Sequence, residues 1–100
     1  MHLEDFIVNL ADRDGRTYLR IGMDLGVEGE VPKAKSDQHA AMLPVIRDSV
    51  ITLLSAEKAE DVLTAEGKTK LKQDLIKTLN DRVPELKVRK IYFNDFMVQR

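Results

Sequence analysis

The stretch that decides the fold lies at the end of the chain and reads Ile91-Tyr92-Phe93-Asn94-Asp95-Phe96-Met97-Val98-Gln99. Aromatic and β-branched residues at this density are typical of a strand. Ile91 and Phe93 share odd parity, however, whereas Phe96 and Val98 share even parity. Side chains alternate between the faces of a sheet, so one face holds all four only if an extra residue is inserted. We therefore predict a β-bulge at Asn94-Asp95.

A β-hairpin is predicted at the other end of the chain. Phe6, Val8 and Leu10 alternate with more polar neighbours, which predicts a short first strand. The segment Asp12-Arg13-Asp14-Gly15 supplies the positive φ of a tight turn. In the second strand, strict alternation predicts one face against a core and one toward water or a partner. Its apolar positions are Leu19, Ile21, Met23, Leu25 and Val27, and its other positions are Tyr18, Arg20, Gly22, Asp24, Gly26 and Glu28.

Two helices are predicted before the last strand. Ser36 is the N-cap candidate of the first, and Pro44 inside it should kink or split the helix. Residues 55–62 are small and charged and are expected to be irregular. Thr64 is the N-cap candidate of the second helix, which Pro84 ends.

The last strand is expected to begin near Lys87 or Val88. The order β-β-α-α-β predicts an α+β fold. Two helical segments would cover one face of a small, mostly antiparallel, three-stranded sheet.

Composition places the chain among folded globular domains. Its 100 residues are 43% apolar and 33% charged, which is too hydrophobic for disorder. This length holds one core, so we expect a single domain over residues 1–100. A net charge of −1 gives no field that would attract nucleic acid, and the absence of cysteine excludes disulfides. The apolar run around residues 50–54 is far shorter than the roughly 20 residues that span a bilayer.

No residue pattern strongly indicates catalysis or a metal site. Asp12-x-Asp14-Gly15 begins like a calcium loop, but the twelfth position would be Met23 instead of Glu, which favours a turn. His39 lies close after Asp37, which suggests a histidine base oriented by a carboxylate. No motif places a nucleophile beside it, so a solvated histidine is favoured over a small hydrolase. His2 adds no metal site. We predict a non-enzymatic protein without catalytic, cofactor-binding or metal-binding residues.

Two charged features have both a structural and a functional interpretation. Asp95 lies among apolar residues of the last strand. Buried, it would be a candidate functional carboxylate, but a bulge that exposes it or pairs it with backbone N–H groups is favoured. The second helix carries lysines that would contact phosphates or lipid head groups, although a solvated face is favoured because acidic residues are interspersed. These lysines are Lys68, Lys70, Lys72 and Lys77.

The outward face of the sheet carries the interface hypothesis. Tyr18 and Arg20 lie on the polar parity of the second strand, and Tyr92 lies on the corresponding face of the last strand. Tyrosine and arginine are enriched in interface hot spots. Gly22 and Gly26 on the same face would allow another backbone to approach closely. An interface and the chance exposure of tyrosines are equally consistent with this pattern.

Five segments match a known pattern in the right order. Phe6 to Asp12 resembles F-x-V-N-L-A-D, and Gly15 to Arg20 resembles its R-Y-L-(K/R) strand. Leu43 to Asp48 resembles LP-x-IRD, and Glu60 to Lys68 resembles ED-L followed by T-x-EGK. Val88 to Gln99 resembles a segment that closes with V-Y-F-T-D-F-V-V-Q. The chain is therefore similar to the flagellar basal-body-associated protein family FliL.

The resemblance implies a periplasmic domain with a stomatin-like (SPFH) fold. In the family, a short cytoplasmic stretch and one inner-membrane helix precede this domain, and both would be missing from this chain. Ring-like self-assembly, contacts with stator proteins, and support of torque, motility and chemotaxis are implied, without nucleic acid, cofactor or catalysis. Residues 28–38 match none of the motifs. The alternative is a stomatin-like scaffold that binds lipid heads through the lysines of the second helix.

Overall fold

Three antiparallel strands and the helices between them form the fold. The computed structural model describes residues 1–13, 15–33 and 36–99. The sheet has the order β1-β2-β3, with β1 at His2–Asn9, β2 at Tyr18–Val27 and β3 at Val88–Gln99. Between β2 and β3 lie α1 (Asp37–Ser55), α2 (Ala59–Val62), α3 (Ala65–Arg82) and a 3₁₀ turn (Pro84–Leu86). The predicted α+β architecture is confirmed, with α2 as an additional single turn.

The predicted bulge in the last strand is present. Gly22 pairs with Asp95, but the next β2 residue, Met23, pairs with Phe93, so Asn94 is the extra residue. The insertion brings Phe93 and Phe96 to the same face, where their ring centroids lie 5.5 Å apart and both pack against the core. The parity conflict in the sequence therefore has the cause that was predicted.

Two further bulges were not predicted. Leu3 and Phe6 lie three positions apart but pair with β2 residues that lie two apart, so β1 also contains an extra residue. Both side chains are buried although their parity differs. Because of this bulge, the first half of β1 does not share the alternation of apolar and polar residues seen from Phe6 onward. The strand begins at His2 rather than near Phe6. Another bulge lies near the start of β3 at Arg89.

The core lies between the helices and one face of the sheet. α1 packs on β1, and α3 packs on β3. The helices contribute residues at intervals of four, which form one stripe along each helix. The fully buried side chains include Leu19, Ile21 and Met23 of β2, Ile46, Val50 and Leu54 of α1, and Leu75 and Leu79 of α3.

Both predicted N-caps are confirmed. Ser36 Oγ accepts a hydrogen bond from the His39 backbone N–H at 3.0 Å. Thr64 Oγ1 accepts one from the Gly67 N–H at 2.9 Å. Pro44 does not split α1, which runs continuously from Asp37 to Ser55. Pro44 has no N–H to donate to the carbonyl four residues earlier. Because this side of the helix is exposed, water can reach that carbonyl instead.

The segment expected to be irregular contains α2, because its cap comes from elsewhere in the chain. Asp12 Oδ1, in the hairpin loop, accepts a hydrogen bond from the Ala59 N–H at 2.9 Å. The Ala11 N–H donates to the Glu57 carbonyl at 2.8 Å. Asp12 thus has a structural role at the start of α2. In the same loop Gly15 has the predicted positive φ, 66°, and Asp14 lies outside the described residues.

The junction between α3 and β3 is held by one side chain. Asn80 Oδ1 accepts from the Val88 N–H at 2.7 Å, and Asn80 Nδ2 donates to the Val88 carbonyl at 2.9 Å. Val88 is fully buried, so its backbone polar groups have little access to water. Asn80 therefore fixes where β3 begins relative to the helix.

Replacing Asn80 should destabilise the fold measurably. Asn80→Ala leaves the backbone groups of Val88 unpaired, and we expect a loss of about 1–3 kcal/mol in the free energy of unfolding. Urea denaturation measures this loss. Gln73→Ala, on the exposed side of α3, is the matched control and should change stability by less than about 0.5 kcal/mol. Equal stability of the two variants would contradict the role given to Asn80.

A glycine in the first turn of α3 should resist substitution. Gly67→Ala in an exposed helix normally stabilises by about 0.5–1 kcal/mol. Here an added Cβ would overlap the Asp61 carbonyl oxygen and lie 2.9 Å from Thr64 Oγ1. We therefore expect Gly67→Ala to destabilise the protein and to lower its free energy of unfolding by about 1–3 kcal/mol. Thermal or urea unfolding measures this change. Thr69→Ala, exposed in the same helix, should lose far less, and a Gly67→Ala protein as stable as that control would refute the contact.

Candidate interaction surface

The sheet presents one face to the helices and the other to solvent. We call the solvent side the outer face. It carries Tyr18, Arg20, Gly22, Asp24 and Gly26 along β2, flanked by His2, Asp5, Ile7 and Asn9 of β1 and by Lys90, Tyr92, Asn94, Asp95, Met97 and Gln99 of β3.

Arg20 is held between two carboxylates on the outer face. Its Nη2 lies 3.3 Å from Asp5 Oδ2, and its Nε lies 3.2 Å from Asp95 Oδ2. The three side chains are 37% to 51% exposed, so solvent screens both ion pairs. The bulge brings Asp95 to this position, which supports the structural interpretation of its charge. Arg20 is therefore a neutralised guanidinium rather than a free cation.

The outer-face glycines do not leave room for another backbone. A Cβ at Gly22 would lie 2.5 Å from Asp5 Oδ1 and 2.9 Å from Asn94 Oδ1. At Gly26, a Cβ would lie 3.2 Å from Lys90 Cβ and 3.6 Å from the Tyr92 ring. The protein's own cross-strand side chains therefore fill the space at Gly22, which argues against close approach of another backbone there, and lie in close contact at Gly26.

Polar contacts also tie the two ends of this face. Asp24 Oδ2 accepts from Asn94 Nδ2 at 3.1 Å, and Asp24 Oδ1 lies 2.5 Å from His2 Nδ1. At the opposite end, the Tyr18 hydroxyl donates to Gln99 Oε1. The outer face is thus an ordered arrangement of side chains across all three strands.

The three residues of the interface hypothesis share this face but do not form one cluster. Tyr18 and Arg20 lie at neighbouring positions of the face. Tyr92, 53% exposed, pairs with Asp24, which follows Tyr18 by six residues, or about 20 Å along the strand.

Sequence reasoning missed two exposed apolar residues beside Arg20. Ile7 is 71% exposed and Met97 is 42% exposed, and both pair with Arg20 across the sheet. The exposure of Ile7 could have been predicted from the sequence, because Ile7 alternates with the buried residues of its strand.

The lysines of α3 do not form a single basic face. Lys68 Nζ lies 4.8 Å from the centroid of the Phe96 ring, and Lys72 Nζ lies 5.0 Å from that of Phe93. Lys70 and Lys77 are exposed. At 3.6 residues per turn, they point about 140–180° away from the first pair. The predicted common surface for lipid heads is therefore divided between two sides of the helix.

The side chains considered for chemistry are not assembled into a reactive site. The Ser49 hydroxyl donates to the Val45 carbonyl at 2.7 Å, and Ser36 caps α1. His39 Nδ1 is buried without a hydrogen-bond partner, so the expectation of a solvated ring is wrong for that atom. Within the described residues, no three His, Cys, Asp or Glu side chains are placed to hold a metal ion. None of the helices described is long and apolar enough to cross a membrane.

The Arg20–Asp95 contact should contribute little to stability. In a double-mutant cycle of Arg20→Gln and Asp95→Asn, we expect a coupling energy of about 0.2–1 kcal/mol that falls as salt is raised. Urea unfolding at two ionic strengths measures it. The Arg89–Glu28 pair, at 3.2 Å and 57% and 63% exposed, is the control and should couple more weakly. A coupling energy that does not change with ionic strength would contradict the interpretation of Arg20–Asp95 as a solvent-screened ion pair.

Comparison with known proteins identifies the family. The family model described as flagellar basal body-associated protein FliL matches residues 1–99. The flagellar protein FliL of Aquifex aeolicus (strain VF5) is 35% identical over 94 residues. This match covers 94% of the chain and 56% of that relative, so the chain spans little more than half the length of the protein it resembles. The chain belongs to the FliL family of flagellar basal-body-associated proteins.

Proposed function

We propose that this chain is a non-enzymatic interaction domain that associates with the flagellar stator and supports motor torque. Membership of a basal-body-associated family supports a role in the flagellum. The observation that carries the finer proposal is the outer face, where exposed Tyr92, Ile7 and Met97 accompany the neutralised Arg20. Tyrosine, methionine and arginine are enriched at protein interfaces. Tyr18, Arg20 and Tyr92 remain the proposed contact residues.

In this proposal the domain lies in the periplasm and is attached to the inner membrane by a single helix elsewhere in the protein. The relative from Aquifex supports the idea that other segments exist, because 56% of its length is matched. The partners would be stator proteins and further copies of the chain.

Ring-like assembly is consistent with the two-layer architecture. The outer face and the helices lie on opposite sides of the sheet, so two copies in head-to-tail contact would use different surfaces. Such heterologous contacts close into a ring when the rotation between neighbours allows it. The stomatin-like scaffold that binds lipid heads has less support, because Lys68 and Lys72 lie over aromatic rings and away from Lys70 and Lys77.

Photo-crosslinking in cells tests this proposal. A photo-reactive amino acid replaces Tyr92 in the membrane-anchored, full-length protein. We expect crosslinked bands to a stator subunit or to a second copy. A matched probe at Ser55, exposed at the end of α1, should give weaker bands to the same partners.

The outcomes separate the role from the surface. If swimming does not depend on the protein, the flagellar role itself fails. If swimming depends on it but Tyr92 yields no band, the outer face is not the contact surface. Motility of a stably folded Tyr92→Ala variant, compared with Leu63→Ala at another exposed apolar position, gives the same distinction without a crosslinker.

A further inference from the structure

The side of α3 that covers the β3 edge carries two lysines without an acidic partner. Lys68 and Lys72 are half-buried, and their ammonium groups lie 4.8 Å from the centroid of the Phe96 ring and 5.0 Å from that of Phe93. A ring face attracts a cation but carries no net charge to neutralise it. Among the described residues, no carboxylate forms an ion pair with either ammonium. The two lysines therefore keep their full positive charge.

The nearby acidic residues point away from this pair or have partners of their own. Asp95 of β3 pairs with Arg20 on the outer face. Asp61 lines a cleft with Lys70, on the far side of α3. At 3.6 residues per turn, the acidic residues of α3 itself point about 120–180° away from Lys68 and Lys72. These residues are Glu66, Asp74 and Asp81.

Ile76 extends the lysine pair into a stripe along the helix. It follows Lys72 by one turn, as Lys72 follows Lys68, so neighbouring members lie about 6 Å apart along the axis. Ile76 is half-buried, like the two rings beneath the lysines, so part of its side chain is accessible. We call Lys68, Lys72 and Ile76 the lysine stripe. It presents two cations in a row followed by an apolar side chain.

The order of these side chains defines the chemistry of an occupant. Alternate residues of an extended segment project to one side at intervals of about 6.7 Å, close to the spacing of the stripe. Two acidic residues and one apolar residue at such alternate positions would place a carboxylate at each ammonium and an apolar side chain at Ile76. Hydrogen bonds between ammonium and carboxylate groups are among the stronger ones in proteins. A membrane surface fits less well, because it would leave Lys70 and Lys77 on the opposite side of the helix.

We propose that the lysine stripe binds an extended acidic segment of a partner protein, with two carboxylates and one apolar side chain at alternate positions. Binding would also relieve the repulsion between two like charges one helical turn apart. The stripe lies on the helix side of the sheet, whereas Tyr18, Arg20 and Tyr92 lie on the outer face. Failure of this proposal would therefore leave the proposed stator contact untouched.

Titration of the ¹⁵N-labelled protein with a synthetic peptide tests the proposal. The probe is acetyl-Thr-Glu-Thr-Glu-Thr-Ile-Thr-amide. We expect the amide signals of Lys68, Lys72 and Phe96 to shift and to saturate at millimolar peptide, with weaker binding as salt is raised. A peptide with glutamine in place of both glutamates has the same shape without the charge, and it should bind roughly tenfold more weakly or worse.

Matched protein variants locate the site. Lys68→Gln/Lys72→Gln should weaken binding of the acidic peptide by roughly tenfold or more. Lys70→Gln/Lys77→Gln removes the same charge from the other side of α3 and should leave binding within about twofold. Lys68→Arg/Lys72→Arg keeps both cations over the rings and should retain binding. If the first variant unfolds, the glutamine peptide and the arginine variant still decide.

Four outcomes would overturn the proposal. Absence of shifts would mean that the lysines only keep the β3 edge from pairing with other strands. Equal binding of the glutamate and glutamine peptides would show that charge does not select the occupant. Shifts at Lys68 and Lys72 that grow with protein concentration alone would identify a second copy as the occupant. Binding to phosphatidylglycerol vesicles that requires both lysines, without binding of the peptide, would identify a lipid surface instead.

Discussion

The extra residue in β3 is the constraint on which the rest of the structure depends. Strand side chains alternate between faces, and without an inserted residue β3 would place either Phe93 or Phe96 in water. Asn94 restores the alternation, and its own side chain then bonds Asp24 on the outer face. The same insertion directs Asp95 to Arg20. One residue therefore determines both the last part of the core and the charge arrangement of the exposed surface.

The segments that resemble the family contribute mainly to packing. Asp12 caps α2, and Arg47 covers the Phe6 ring. Asp48 pairs with Arg82 at 3.5 Å, linking α1 to α3. Gly67 provides the space in which the Asp61 carbonyl lies. These contacts explain why such segments accompany this fold. Function is better sought among exposed residues that no internal contact requires, such as Ile7.

The sequence predicted features that depend on neighbours along the chain and missed those that depend on distant partners. The caps at Ser36 and Thr64 and the bulge at Asn94 follow from local residue type and parity, and all were predicted. α2 was missed because its cap, Asp12, lies 47 residues away. The space at Gly22 and the division of the α3 lysines depend on side chains from other strands and on rings below the helix. The candidate surface was accordingly predicted by face and residue type, but its contacts were not.

The position of β2 between the first and last strands has a consequence for folding. The β1–β2 hairpin is local in sequence, whereas the contact between Tyr18 and Gln99 joins residues 81 positions apart. Contacts of such separation are slow to form, because a long loop must close first. Until β3 arrives, the central strand has an open edge beside the apolar side chains of Leu19, Ile21 and Met23. The partly folded chain is therefore most prone to aggregation along the strand that is best protected in the finished protein.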